Sequence, residues 1–268
     1  MPALSSTHLV LIPSYNPGPL VFRTLAAARA CWAPVWVVVD GSTDGSPDDL
    51  DKLAGCDERL MVIDRGRNGG KGAAVLEALR HADRMGFTHV LVMDSDGQHP
   101  PDGIASLMAI SAAHPNAMVL GRPIFGADAP SARIYFRRVS NFWANVETFW
   151  CGIGDALFGF RVYPVQPLLD AMSRTRWMRR FDFDPEAAVR LCWAGVRPVN
   201  IDVPVRYLPA DQGGVSHFHY VRDNLLLTWM NLRLLCGSLR RLPARMRARP
   251  IFLAREAPAG NVLKLPQE

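Results

Sequence analysis

The alternation of short apolar strands with helices is the feature that most constrains how this chain folds. Apolar and β-branched residues run together in five predicted strands, at 8–12, 36–39, 60–63, 89–93 and 118–120. Helices are predicted between them, at 20–30, 73–85 and 104–114. Such alternation is typical of a parallel sheet covered by helices and connected by right-handed crossovers. We therefore predict an α/β fold with a mostly parallel sheet.

Polar loops follow three of these strands directly. They read PSYN at 13–16, DGSTDGS at 40–46 and DSDGQH at 94–99. The carboxyl ends of parallel strands meet at one edge of a sheet, where α/β proteins bind their ligands. Each loop alone could be a solvated turn, but three acidic or amide-rich loops after three strands favour a binding crevice.

The loop DSDGQH holds more oxygen ligands than a turn requires. Asp94, Asp96 and Gln98 lie within five positions and are followed by His99. Mg²⁺ and Mn²⁺ prefer oxygen ligands, which they often share with substrate phosphates. The loop therefore predicts a site for Mg²⁺ or Mn²⁺ at the end of the fourth strand.

Two common nucleotide-binding motifs are absent from the sequence. No GxGxxG follows the first strand, where a dinucleotide-binding fold would need it. The segment 69–72 reads GGKG and has neither the spacing nor the hydroxyl residue of a phosphate-binding P-loop. Lys71 could still meet a phosphate as a point charge, although a lone lysine in a glycine-rich loop is more often solvated.

The second half of the chain is less regular. We predict helices at 133–150, 187–194 and 224–236, a strand at 159–164, a strand pair or an extended edge at 197–207, and a loop at 211–219. Asp184 lies where the N-cap of the helix predicted at 187–194 is expected, with Pro185 at the first helical position and Glu186 in the first turn. Capping alone would explain Asp184.

Charge and cysteine content bear on the location of the protein. The five cysteines are scattered without a CxxC pair, which is typical of neither a zinc site nor a disulfide framework. No signal peptide is expected, and no apolar run reaches the roughly 20 residues of a membrane span. Residues 224–255 contain seven arginines and no acidic residue. An apolar helix followed by arginines suits an anionic membrane surface, although the helix could instead belong to the core.

Taken together, these loops resemble the family 2 glycosyltransferases, which have the GT-A fold. The resemblance rests on PSYNPG, VVVDGSTDGS, NGGKGAA and DSDGQHPP, and continues through GR at 121–122, RVSN at 138–141, GFR at 159–161 and GVSH at 214–217. It is strongest to the dolichyl-phosphate mannose synthase and polyprenyl-phosphate glycosyltransferase branch. It implies a Rossmann-like domain at 1–220, followed at 221–268 by an amphipathic helical appendage that we expect to associate with membranes.

The resemblance implies roles for residues along the strand ends. Asp96 and Gln98 would bind the divalent cation, and Asp94 would contact nucleotide or sugar. The nucleoside would be held by the first two loops, at Pro13, Tyr15, Asn16, Asp40 and Asp44. The candidates for the phosphates would be Arg122, Arg138 and His217. His217 departs from the family pattern, which has lysine there, and it matches lysine as a cation only when protonated.

The acceptor decides whether a catalytic base is needed. A hydroxyl acceptor must lose its proton, whereas a lipid phosphate is already ionised. Family members that act on hydroxyls use an acidic residue at about the position of Asp184 or Glu186. Either of these two residues is therefore the expected base. Inversion at the anomeric carbon is also implied by the resemblance.

The expected function is metal-dependent, inverting transfer of a sugar from a nucleotide-diphosphate sugar to a membrane-associated acceptor, without nucleic acid. That acceptor would be a polyprenyl phosphate or a lipid or glycan hydroxyl, in cell-envelope glycan or glycolipid synthesis. The protein would be cytoplasmic and peripheral on the inner face of the membrane. The alternatives are a nucleotidyltransferase, which usually has a glycine-rich basic loop after the first strand, and a non-catalytic nucleotide-sugar-binding protein.

Overall fold

A seven-stranded sheet organises the structure, a computed structural model that describes residues 2–125, 131–205 and 220–247. The strands are β1 His8–Ser14, β2 Val35–Val39, β3 Leu60–Asp64, β4 His89–Val92, β5 Ala117–Ile124, β6 Arg161–Pro164 and β7 Arg197–Pro204. Their order across the sheet is β3-β2-β1-β4-β6-β5-β7. Only β6 runs antiparallel to its neighbours, β4 and β5. The predicted mostly parallel sheet is therefore confirmed.

Strand β1, which lies between β2 and β4, extends further than predicted. We expected it to end near Pro13, which has no N–H to donate, but Pro13 pairs with Val38 and the strand continues to Ser14. Its pairing with β4 stops at Leu11. The backbone oxygen of Ser14 accepts a bond from the amide of Asp40, on the side of β2. Pro13 faces the opposite side, where no strand is paired at this position, so its missing N–H costs no strand hydrogen bond.

Eight helices are present in the described residues. They are α1 Leu20–Cys31, α2 Ser46–Ala54, α3 Lys71–Arg84, α4 Gly103–Ala113, α5 Ser131–Glu147, α6 Val165–Ser173, α7 Phe183–Trp193 and α8 Tyr220–Arg247. Buried apolar side chains cover both faces of the sheet in two clusters. Helices α2 and α6 were not predicted, because α2 follows a loop that resembles a turn and buries only Ser46 and Leu50, and α6 carries a proline in its first turn.

The start of α7 corrects one prediction. The helix begins at Phe183, so Asp182 holds the N-cap position and Asp184 lies within the first turn. The prediction that Asp184 caps this helix was wrong by two residues. The Asp182 carboxylate accepts bonds from the amides of Met178 (3.0 Å) and Arg180 (2.9 Å), so it ends the preceding turn rather than capping the helix.

Helix α8 is far longer than the predicted 224–236. It buries Met230, Leu234 and Ser238 along one side. Within the described residues, no helix combines the length and hydropathy that crossing a membrane would require. The predicted loop at 211–219, the end of the predicted strand at 206–207, and all residues after 247 lie outside the described residues.

A buried group of charged side chains joins α7 to α8. The Glu186 carboxylate is inaccessible to solvent and accepts bonds from Arg190 (2.7 Å) and from Arg233 of α8 (3.0 and 3.2 Å). The Arg233 guanidinium also lies 4.0 Å from the centre of the Trp177 ring. Both oxygens of Glu186 are therefore occupied by guanidinium groups that hold α8 against the first turn of α7.

Glu147 at the end of α5 makes stability depend on pH. Its side chain is buried, and burial followed by the charge of Glu186 raises its pKa from 4.5 to about 8. Between these values the folded protein holds a proton that the unfolded chain has released, so stability falls as pH rises. We expect Glu147→Gln to flatten this slope in denaturant unfolding measured across the interval. Glu58→Gln, at an exposed glutamate, is the matched control, and an unchanged slope in Glu147→Gln would contradict the assignment.

Candidate active site

The loops after β1 and β2 are bonded to one another at the carboxyl edge of the sheet. The backbone N–H of Asn16 donates to Ser42 Oγ (2.9 Å), and the side-chain Oδ1 of Asn16 accepts from the backbone N–H of Thr43 (2.7 Å). Asp44 Oδ2 accepts from the Gly18 amide (2.8 Å). Although burial opposes it, bonds from Ser46 and Gly18 hold the pKa of Asp44 below its ordinary value. The two loops therefore form one surface beside Tyr15, which is exposed.

Asp40 at the end of β2 fixes the loop between β3 and α3. Its carboxylate is buried and accepts bonds from the amides of Gly69 (3.1 Å) and Gly70 (2.6 Å) and from the Arg65 guanidinium. Gly70 has a φ of 95°, a conformation that residues with a side chain rarely adopt. Asp40 therefore holds the residue just before Lys71, and its role towards a nucleoside base stays a prediction.

Lys71 joins three distant segments at the centre of the site. Its Nζ lies 2.6 Å from Asp94 Oδ1, after β4, and 2.7 Å from Asp184 Oδ2, in α7. Burial opposes the charge on Lys71, but the two carboxylates outweigh it and raise the pKa of this lysine. A Cβ on Gly159 would meet Lys71 Nζ and lie 2.8 Å from Asp94 Oδ2, so a side chain there would displace both groups. Lys71, Asp94 and Asp184 form what we call the central triad.

His99 supports the loop that carries Asp94. Its Nδ1 accepts a bond from the Asp94 amide (3.0 Å), so the neutral ring carries its hydrogen on Nε2, 3.6 Å from Asp94 Oδ2. The buried ring lies against Phe158 and Phe160. Burial lowers the pKa of His99, although Asp94 opposes that shift. His99 therefore positions the loop, a role that the sequence did not predict.

Asp96 faces a different environment from Asp94. One of its oxygens accepts from the Gln98 amide (3.0 Å), and burial followed by the charge of Asp94 raises its pKa. The pKa of Asp94 is lowered, because Lys71 outweighs the opposing effect of burial. Lys71 already pairs with both Asp94 and Asp184, so the added negative charge of Asp96 beside Asp94 favours a further cation near Asp96.

The donor atoms at this edge fit a hard divalent cation that is shared with a substrate. Asp184 Oδ1 is buried and has no hydrogen-bond donor among the described residues. Among the residues that the structure describes, no group of three or more His, Cys, Asp or Glu side chains could hold a metal ion by itself. Mg²⁺ is commonly bound by one or two carboxylates together with substrate phosphates and waters. Asp96 and Gln98 fit such a partial site rather than a cage made entirely of protein.

The base candidates Asp184 and Glu186 have different surroundings. The Asp184 carboxylate accepts a bond from Lys71, and its backbone oxygen accepts one from the Arg161 guanidinium (2.6 Å). Arg161 is fully buried and also donates to the carbonyls of Phe158 and Asp155. Arg161 therefore fixes the start of α7 against β6, whereas Glu186 faces the arginines between α7 and α8.

The arginines predicted to bind phosphate lie at the surface. Arg122 is exposed and paired with Asp202 of β7 (2.8 Å), and Arg138 is exposed on α5. The neighbouring Arg137, not singled out from the sequence, contacts Asp155 (2.6 Å). His217 lies outside the described residues. The structure thus brings together the residues at the ends of β1, β2 and β4 with Lys71 and Asp184, but not Arg122.

Comparison with known proteins identifies similar sequences. The family model "Glycosyl transferase family 2" matches residues 9–167. The polyprenol monophosphomannose synthase of Mycolicibacterium smegmatis is 31% identical over 165 residues, which cover 58% of this chain and 60% of that protein. The undecaprenyl-phosphate mannosyltransferase of Micrococcus luteus is 25% identical over 248 residues, covering 85% of this chain and 98% of that protein.

Solved structures show the same fold at low sequence identity. Glucosyl-3-phosphoglycerate synthase of Mycobacterium tuberculosis, in complex with Mn²⁺, UDP and glucosyl-3-phosphoglycerate, matches with a TM-score of 0.54 and 16% identity. The match covers 87% of this chain and 78% of that one. The fold that the sequence resemblance implied is confirmed.

Proposed function

Because the chain belongs to glycosyl transferase family 2, we propose that it is a metal-dependent, inverting enzyme that moves a sugar from a nucleotide-diphosphate sugar to a polyprenyl phosphate. The names of the two mannosyltransferase relatives support this acceptor. Membership in a glycosyltransferase family supports sugar transfer over the nucleotidyltransferase and non-catalytic alternatives.

The central triad is the observation that carries the proposal. It places two carboxylates and a lysine at the edge where the loops after β1 and β2 also meet. We expect these loops to bind the nucleoside and Lys71 to keep Asp94 ionised beside the sugar diphosphate. A divalent cation held by Asp96 and Gln98 would neutralise the leaving diphosphate, a contribution of several kcal/mol.

The acceptor determines what Asp184 does. A polyprenyl phosphate attacks with an oxygen that is already ionised, so it needs no base. Asp184 would then orient Lys71 through their 2.7 Å contact. With a hydroxyl acceptor, the same carboxylate is the group placed to take the proton, because Glu186 is enclosed by Arg190 and Arg233.

The decisive experiment follows both products of the reaction. The protein is incubated with a panel of nucleotide-sugars, polyprenyl phosphate in detergent, and Mg²⁺ or Mn²⁺. We expect a lipid-phosphate sugar and a nucleoside diphosphate in equal amounts, with neither formed in the presence of chelator. Release of pyrophosphate, or turnover that the chelator leaves unchanged, would contradict the proposal.

Exposed apolar side chains on α5 and α8 support a membrane location. Helix α5 packs against α8, and each exposes large side chains: Tyr135, Val139, Phe142, Leu225, Trp229, Leu232 and Leu239. We call this set the apolar face. Arg138, Arg240 and Arg241 are exposed on the same helices. Apolar surface bordered by arginines suits an anionic lipid surface, so we propose a peripheral protein on the cytoplasmic face of the membrane.

Charge substitutions on the apolar face are expected to release the protein from vesicles. Leu232→Glu combined with Leu239→Glu places two carboxylates on the exposed side of α8 and should lower vesicle binding about tenfold or more. The measurement is co-sedimentation with anionic vesicles. Leu53→Glu, at an exposed leucine of α2, is the matched control. Equal sedimentation of the double variant and the unmodified protein would refute the membrane role of α8.

A further inference from the structure

A basic cavity lies beside the loop between β3 and α3, and none of the three residues of the central triad lines it. Its volume is about 450 Å³. The charged and amide side chains that line it are Arg65, Arg67, Asn68, Glu77, Arg80 and Arg179. It is therefore enclosed by the loop, the outer side of α3 and the segment before α7.

The charge of this cavity is unbalanced. Four guanidinium groups line it with a single carboxylate, that of Glu77. Glu77 lies 3.3 Å from Arg80, and Arg65 is paired with Asp40 outside the cavity. Arg67 is exposed and pairs with no carboxylate among the residues that the structure describes. The cavity therefore carries a net positive charge.

Arg179 adds a guanidinium whose hydrogen bonds leave its charge in place. It donates to the backbone oxygens of Trp177 (2.7 Å), Thr175 (2.9 Å) and Met172 (3.1 Å). These carbonyls fix its orientation but are uncharged. Burial and then the positive charge of Arg80 lower the pKa of Arg179. Arg80 and Arg179 thus repel each other across the cavity. A bound anion would reduce this repulsion.

We propose that this cavity binds a phosphate-bearing anion. Guanidinium groups are suited to phosphate because their planar donors pair with two oxygens at once. A concave, positively charged wall also concentrates anions. The volume is ample for a pyrophosphate or a phosphate headgroup. The anion is either a soluble phosphate compound or the headgroup of a lipid, and the two sources share the chemistry that the arginines recognise.

Arg65 ties the cavity to the loop that carries Lys71. Its guanidinium bonds the Asp40 carboxylate and lies over Gly69, where a Cβ would come within 2.8 Å of Nη1. Removing Arg65 would therefore disturb Asp40 as well as the cavity. Arg67 and Arg80 are both exposed, and no bond from either to another segment is seen within the described part of the chain, so they are the residues to change.

The test is a calorimetric titration of the full chain with inorganic pyrophosphate, without divalent metal and at constant ionic strength. We expect saturable binding that weakens at least about tenfold in the variant with Arg67→Ala and Arg80→Ala. Arg84→Ala removes an exposed arginine one turn further along α3, outside the cavity, and should change affinity less than about twofold. Circular dichroism confirms that each variant is folded.

A second arm uses vesicles with and without phosphatidic acid to distinguish a lipid headgroup from a soluble ligand. Cavity-dependent binding to either probe supports the site and identifies the source. The proposal is overturned if the double variant binds both pyrophosphate and the vesicles as well as the unmodified protein does. It is also overturned if Arg84→Ala weakens binding as much as the double variant. Pyrophosphate binding that Lys71→Met removes and the double variant retains would place the anion at the central triad instead. None of these outcomes depends on sugar transfer.

Discussion

Replacing Asp96 with alanine is expected to lower sugar transfer by about three orders of magnitude or more while leaving the fold intact. Asp96 is half-buried at the end of β4, and its raised pKa reflects burial and the nearby charge of Asp94. A cation bound there would stabilise the leaving diphosphate, and alanine supplies no oxygen to hold it. The loss should appear in the rate of transfer and also in metal-dependent nucleotide binding.

Thermal shift with a nucleoside diphosphate, with and without Mn²⁺, measures binding separately from turnover. We expect Mn²⁺ to increase the shift in the unmodified protein and to have no effect in Asp96→Ala. Asp102→Ala is the matched control, because Asp102 is an exposed carboxylate beside the same loop and makes no cap bond with its side chain. Near-normal turnover in Asp96→Ala would refute the metal assignment.

Asp184→Asn is expected to separate the two classes of acceptor. With a hydroxyl acceptor the variant loses its base, and turnover should fall by about two to four orders of magnitude. With a polyprenyl phosphate no base is lost, and only the pairing with Lys71 is weakened, so a loss of about tenfold is expected. Donor binding should persist in both cases, since Asn keeps the shape of the side chain. The measurement is single-turnover transfer to each acceptor.

Glu186→Gln is the comparison that tests the distinction between the two acidic residues. Its buried carboxylate is held by Arg190 and Arg233, so the substitution should lower the free energy of unfolding by about 1–3 kcal/mol, since it removes the negative charge that these two half-buried guanidinium groups share. Turnover per folded molecule should change little. A fall in turnover for Glu186→Gln that exceeds that for Asp184→Asn would reverse the roles assigned to them.

Local patterns were sufficient to predict the sheet and the polar loops at its edge. Apolar runs of four or five residues predicted β2, β3 and β4 to within one residue at each end. The same runs located Asp40 and Asp94, because both follow directly on a buried strand. In contrast, the cap of α7 was misplaced, because Asp182 and Asp184 carry the same sequence signal and only the folded turn at 178–182, whose amides bond to Asp182, distinguishes them.

The contacts between distant residues could not be predicted in this way. Lys71 and Asp184 are 113 positions apart, and nothing in the loop NGGKG indicates a carboxylate partner. Glu186 was expected near the chemistry, but its environment is set by Arg233, which lies 47 positions further along the chain. Such pairings depend on how helices pack on the finished sheet, and no short-range pattern encodes that packing.

The span of the central triad along the chain has a consequence for how activity is acquired and lost. Contacts of long sequence separation carry a large loop-closure cost, so they form late when a domain folds. The parallel half of the domain contributes Lys71, at the start of α3, and Asp94, after β4, but Asp184 arrives only when α7 has docked. Local opening of α7 would separate the triad while β1 and β2 remain paired. Catalytic competence would therefore depend on the docking of α7 as well as on the pairing of the strands.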